Sequence, residues 1–113
     1  MQIFGVRKSA DTRAALRFFS ERRVRTHFVD LDERPPSPRE LERFARKFGV
    51  QGLIDRDAKR FTALGLQAAR LTDTRWLEKL GAEPLLLRLP LVRYQNNVTI
   101  GAALDAWKQW CEK

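Results

Sequence analysis

A chain of 113 residues, 43% of them hydrophobic, suits one domain around one packed core and excludes a disordered polar segment. A single cysteine and a single histidine exclude an intramolecular disulfide and a Cys-based metal cage, and no apolar run approaches the roughly 18 to 20 residues of a bilayer-spanning helix. The net charge of +8 suits an anionic partner. Arginine outnumbers lysine, however, the charges are scattered, and no RNA- or DNA-binding signature accompanies them, so nucleic acid is not the expected partner.

Gln2 to Val6 reads as a buried strand. A helix is predicted from Asp11 to about Arg23, with Ala15, Leu16, Phe18 and Phe19 on its inner side at 3.6-residue spacing. Thr26 to Leu31 is a second strand, with His27 as a packed mid-strand residue, and the connection is long enough for a right-handed βαβ unit. Asp32-Glu33-Arg34-Pro35-Pro36 breaks the chain. Ser37-Pro38-Arg39-Glu40 is a capping box with proline at the first helical position. Leu41, Phe44, Ala45 and Phe48 then share one helix face, and Gly49 is expected to close the helix.

Short helices are predicted at Asp57–Leu64, stopped by Gly65, and at Asp73–Leu80, capped by Thr72 and stopped by Gly81. Leu91–Tyr94 and Val98–Ile100 read as a hairpin around the turn Gln95-Asn96-Asn97. Ala102 to Glu112 closes the chain as an amphipathic helix with Leu104, Trp107 and Cys111 on one stripe. The order β-α-β, helical insert, β-β-α is that of an α/β, thioredoxin-like fold. It predicts a single domain with a four-stranded mixed sheet and a helical insertion over about 37–84.

Four motifs carry more than fold. A strand ends in the loop Arg7-Lys8-Ser9, followed by Ala10 and Arg13. A second strand leads through Asp30 to Pro35-Pro36-Ser37, Glu40 and Leu41. Lys59-Arg60-Phe61 leads to Leu64-Gly65-Leu66, and Leu86-Leu87-Arg88-Leu89-Pro90-Leu91-Val92 is an apolar run around one arginine and one proline. In this order and spacing they resemble the arsenate reductase and Spx-regulator family along nearly the whole chain. Arg88, Pro90, Val92 and Arg93, with Trp107 and Trp110, are nearest its glutaredoxin-like branch.

The resemblance implies a cis peptide bond at Pro90 and a nucleophilic cysteine at position 9. A helix N-terminus stabilises a thiolate through its aligned N–H groups, and a serine hydroxyl gains little from the same place. Ser9 therefore removes the nucleophile. Of the three arginines that the resemblance implies around an oxyanion, the first position is Asp55 with Arg56 adjacent, the second is displaced to Arg88, and the third falls on Gly101 or Ala102. The second cysteine of the Spx-type pair is Thr12.

Two functions follow as expectations. The first is a redox-inactive binding or regulatory protein. Its ligand site comprises Lys8, Ser9, Ala10, Arg13, Arg88, Pro90 and Arg93, and its ligand is a small anion or glutathione. A protein partner also fits, by resemblance RNA polymerase. The second is a glutathione-dependent thiol reductase or transferase, if cysteine is the natural residue at position 9 or Ser9 acts without redox chemistry. Cys111 is expected to be a thiol packed with Trp107 rather than a replacement for residue 9. Met1 leads directly into a strand, with no leader-like segment, and a cytoplasmic location without membrane or metal is expected.

Overall fold

Ile3, Phe4 and Val6 leave no polar alternation, and β1 (Gln2–Gly5) is accordingly an inner strand, with Ile3, Phe4 and Gly5 buried. The structure is a computed structural model that describes residues 1–112. β1 pairs in parallel with β2 (His27–Asp30), Ile3 opposite Phe28, and antiparallel with β3 (Leu91–Tyr94), Phe4 opposite Leu91. β3 pairs antiparallel with β4 (Asn97–Ile100), completing a mixed four-stranded sheet in the order β2-β1-β3-β4. The hairpin turn is shorter than predicted: Asn97 pairs with Tyr94 as a strand residue, and Gln95 takes a left-handed φ of 56°. His27 is not packed, because β2 lies at the sheet edge and its first side chain is exposed.

The chain divides into two compact units, Met1–Arg34 with residues 89–112, and Pro35–Arg88. In the first, α1 (Ala10–Glu21) lays Ala15, Phe18 and Phe19 against Ile3, Val92 and Trp107. The Phe18 and Phe19 rings meet edge to face at 5.1 Å, and Phe19 lies 5.6 Å from Trp107. The Trp107 Nε1–H donates to Thr99 Oγ1 at 2.9 Å, so the core indole leaves no donor unpaired. α1 stops two residues before Arg23, which takes φ 58° while the Arg23 and Val24 N–H groups bond back to the Ser20 and Phe19 carbonyls. α5 (Leu104–Cys111) faces inward through Trp107, with Ala103, Trp110 and Cys111 packed on the same cluster. Leu104, the first residue of the helix, is 46% exposed, contrary to its predicted place on the inner stripe.

In the second unit, α2 (Pro38–Gly52) begins with the predicted capping box. Ser37 Oγ accepts from the Glu40 N–H at 3.2 Å, and the Ser37 N–H donates to Glu40 Oε1 at 2.9 Å. Gly49 does not close the helix but kinks it: at φ 75° it leaves helical geometry, and one further turn runs to Gly52. α3 (Lys59–Ala63) starts later than predicted, because Asp55 Oδ1 caps the Asp57 N–H in a turn. Gly65, at φ 66°, ends the α3 region before a short 3₁₀ turn, Leu66–Ala68. α4 (Asp73–Ala82) is capped by Thr72 Oγ1 and passes through Gly81, expected as its stop. A Cβ at position 81 would sit 3.4 Å from the Pro36 carbonyl oxygen, so that glycine serves a close approach between segments of this unit.

Two features of these units lead to measurements. Thr12 is fully buried in the first turn of α1, its Oγ1 has no hydrogen-bond partner, and a Cβ on Gly5 would lie 2.5 Å from its Oγ1 and Cγ2. Thr12→Val should raise stability by about 1 kcal/mol by removing an unpaired buried hydroxyl. Gly5→Ala should cost about 1–3 kcal/mol by overpacking, and Thr12→Ala in the same chain should recover part of that loss. Chemical denaturation of the natural protein, Gly5→Ala, Thr12→Ala and the double variant reads the coupling, and additive single effects would exclude the contact.

Arg60 and Glu83 form a two-bond pair in the second unit, Nε to Oε2 at 2.9 Å and Nη2 to Oε1 at 2.8 Å. These hydrogen bonds hold the Glu83 carboxyl below the usual glutamate range and raise the Arg60 guanidinium. Because the folded-state pKa of Glu83 is the lower one, the pair's contribution is complete above the unfolded pKa and is lost as pH falls through the folded one. Glu83→Gln should therefore lower Tm slightly at neutral pH, and the difference from the natural protein should close in acid. A Tm difference that stays constant into acid would refute the pair's role.

Candidate functional site

β1 ends at Gly5, and the chain turns through Val6, Arg7 and Lys8 into α1. The turn is closed by the Ser9 N–H, which donates to the Val6 carbonyl at 3.0 Å. Ser9 is the N-cap: its backbone is extended (φ −78°, ψ 120°), and its Oγ accepts the Thr12 N–H at 3.2 Å. The hydroxyl at the centre of the turn is thus committed to one of the otherwise unpartnered first-turn N–H groups. Among the described residues no histidine or carboxylate is hydrogen-bonded to it. Ala10 and Asp11 start the helix, and the Asp11 carboxylate complements the positive end of the helix dipole.

The basic residues of the turn differ in their freedom. Lys8 is exposed, with no hydrogen bond or ion pair among the described residues. The Arg13 guanidinium reaches back and donates from Nη1 to the Arg7 carbonyl at 2.7 Å, which keeps its charge beside the loop. Arg7, which the motif comparison did not single out, has its guanidinium 4.9 Å from the Phe28 ring centroid and its Nε 3.9 Å from Asp30 Oδ2. The cue in the sequence was a cation two residues before Ser9 and an acid at the end of β2, and only the parallel β1–β2 register brings the two together.

Pro90 belongs to the same end of the sheet. It precedes Leu91, which pairs with Phe4, and is therefore in register with Gly5. It is buried, its peptide bond with Leu89 is cis, and its carbonyl accepts the Gly101 N–H at 3.0 Å. Arg93, expected in the same site, lies at the other end. It stands opposite Gln2, roughly 10 Å along β1 from Gly5, and donates from Nε to the Gln95 carbonyl at 3.2 Å and from Nη1 to Gln2 Oε1 at 3.4 Å. The short separation of Arg93 from Pro90 in sequence does not decide which strand residue lies toward the Ser9 turn; the pairing register does.

Arg88 and Arg56 belong to the second unit, and both are engaged inside it. Arg88 Nε donates to the Ile54 carbonyl at 3.1 Å; Arg56 donates to Gln51 Oε1 and lies 5.5 Å from the Phe61 centroid. Cys111 is half-buried beside Tyr94 and Trp110, with Tyr94 the β3 residue farthest in sequence from Pro90. Lys8, Ser9, Ala10, Arg13 and Pro90 thus share one end of the sheet in the first unit. The arrangement offers first-turn N–H groups, nearby cations and a capping hydroxyl, a combination that suits holding an anion. Among the described residues no group of three or more His, Cys, Asp or Glu is placed to hold a metal ion.

Solved structures of the same fold cover almost the whole chain. A protein named YFFB superposes with a TM-score of 0.87 at 21% identity over 96% of both chains. An arsenate reductase from Vibrio cholerae gives 0.81 at 19% identity, covering 96% of this chain and 97% of its own. An arsenate reductase (ArsC) related protein from Brucella melitensis gives 0.71 at 15% identity, covering 99% of this chain and 94% of its own. None of the curated proteins matches the chain in sequence. The model of the ArsC family matches residues 4–110, a span that holds the Ser9 turn, the helical insert and the Pro90 strand. The fold is thioredoxin-like, and the chain belongs to the ArsC family.

Proposed function

We propose that this ArsC-family protein works by binding rather than by thiol redox chemistry. The observation that supports this most is the hydrogen bond from the Thr12 N–H to Ser9 Oγ, 3.2 Å long, at the place where the motif resemblance puts a reactive thiol. A serine used as a cap, with no base bonded to it, has no route to the loss of its proton. Arg56 and Arg88, nearest in sequence to two of the positions expected around an oxyanion, spend their guanidinium groups on Gln51 and Ile54. An oxyanion intermediate would lack the preorganised donors that lower its barrier.

The ligand that best fits the Ser9 turn is a small anion, such as sulfate or a carboxylate of glutathione, received by the first N–H groups of α1 with Lys8 and Arg13 alongside. The helix dipole contributes only about 0.3–1 kcal/mol at an exposed site, and Asp11 opposes the anion, so affinity is expected to be weak. A cytoplasmic location accompanies this proposal. No helix among the described residues is long and apolar enough to cross a membrane.

Two measurements test it. In an assay coupling arsenate reduction to glutathione and glutaredoxin, the protein should show no turnover above background. Ser9→Ala should leave that result unchanged while costing about 0.5–2 kcal/mol of stability through loss of the cap. Turnover abolished by Ser9→Ala would overturn the proposal. In a titration with sulfate and with reduced glutathione, NMR amide shifts should be confined to residues 7–13 and the Pro90 strand. Absence of shifts at millimolar ligand would remove the anion site and leave the function to another surface.

A further inference from the structure

On α2 the buried residues Leu41 and Phe44 define an inner side, and Arg39, Arg43 and Arg46 recur at i, i+4 and i+7 on the opposite pole. All three are exposed, and together with Glu42 they line one shallow depression in the surface of the second unit. None of the three guanidinium groups has a hydrogen bond, ion pair or ring contact among the described residues. Some arginines elsewhere bond within the chain, Arg13 to the Arg7 carbonyl, Arg60 to Glu83, Arg88 to the Ile54 carbonyl and Arg93 to Gln2, while Arg17, Arg25 and Arg70 are exposed but lie apart in sequence rather than on one helix pole.

Like charges three and four residues apart repel, and Arg39 sits in the first turn, against the positive end of the dipole; Glu42, three residues after Arg39 and four before Arg46, offsets part of that repulsion. An anionic partner would relieve both. Glu42 decides which kind. It is exposed in the same depression with no ion pair among the described residues, so a phosphate backbone laid there would meet a carboxylate, whereas a protein surface of mixed charge can pair it with a cation. Arg39 to Arg46 spans about 10 Å along the axis, the length over which a partner helix repeats its own i, i+4, i+7 positions. The guanidinium fork matches carboxylates in two-bond geometry.

We infer that the outer face of α2 is a docking surface for an acidic helical segment of another protein, carboxylates meeting Arg39, Arg43 and Arg46 and a cation meeting Glu42. The inference goes beyond the proposed function, since it concerns the second unit and holds whether or not an anion binds at Ser9.

The test uses the full chain and three fluorescent probes. The first is an 18-residue helical peptide with Glu at i, i+4 and i+7 and Lys at i+3; the second is a scrambled peptide of the same composition; the third is a 12-residue oligothymidine. By fluorescence anisotropy, the patterned peptide should bind at least fivefold more tightly than the scrambled one. Arg39→Gln/Arg43→Gln/Arg46→Gln should abolish that preference. The control Arg17→Gln/Arg25→Gln/Arg70→Gln removes the same charge from exposed residues elsewhere and should retain the preference. Glu42→Lys should weaken the patterned peptide and strengthen the oligothymidine. Circular dichroism melting of each variant shows that the fold persists. Equal losses in the two triple variants would reduce the effect to net charge and overturn the inference. Tighter binding of oligothymidine through the same three arginines would overturn it in favour of nucleic acid.

Discussion

Thr12 lies directly on Gly5, with the space for a Cβ on that glycine already occupied, and much of the first unit depends on this approach. It fixes the distance between the end of β1 and the first turn of α1. With that turn held, Ala15 and Phe19, three and seven residues on, fall on the same side and reach Ile3, Val92 and Trp107. The same geometry leaves Ser9 at the N-cap, where its hydroxyl meets the Thr12 N–H from the outside while the Thr12 side chain faces the strand. The buried Thr12 hydroxyl goes unpaired, a cost that this packing sets against the gain from a tight strand–helix contact.

A net charge of +8 does not act as a uniform field. At the Ser9 turn, Arg7 and Arg13 are drawn in by Asp30, Phe28 and a backbone carbonyl, while Lys8 stays exposed. In the second unit, Arg60 is neutralised by Glu83, and Arg88 is folded onto the backbone of Ile54. Other cations, among them Arg17, Arg25 and Arg70, stay exposed along the chain, and on α2 three of them are organised along one helix pole. This ArsC-family chain has a hydroxyl rather than a thiol at the N-cap of α1.

Much of this was legible along the chain. The capping box at Ser37–Glu40, the Thr72 cap and the parallel pairing of the first two strands rest on interactions between residues a few positions apart or on a run of apolar side chains. The structure departs from the sequence expectation where a glycine has more than one use. Gly49 kinks α2 and Gly81 lies inside α4, because a glycine can mark a left-handed turn or a close approach, and the sequence does not say which neighbour comes near.

The candidate site divides along the same line. Ser9, Ala10 and the turn into α1 are local, and residue order alone determined them: a serine three residues before Thr12 caps the helix wherever that helix lies. The exclusion of a disulfide and of a cysteine metal site was likewise fixed by one cysteine. Only the tertiary structure decided that Leu91, next to Pro90, stands opposite Phe4 while Arg93 stands opposite Gln2, and that Arg7 reaches Asp30. Strand register sets those distances, and register comes from the packing of a whole sheet face, with residues ninety positions apart meeting through backbone hydrogen bonds that no local pattern encodes.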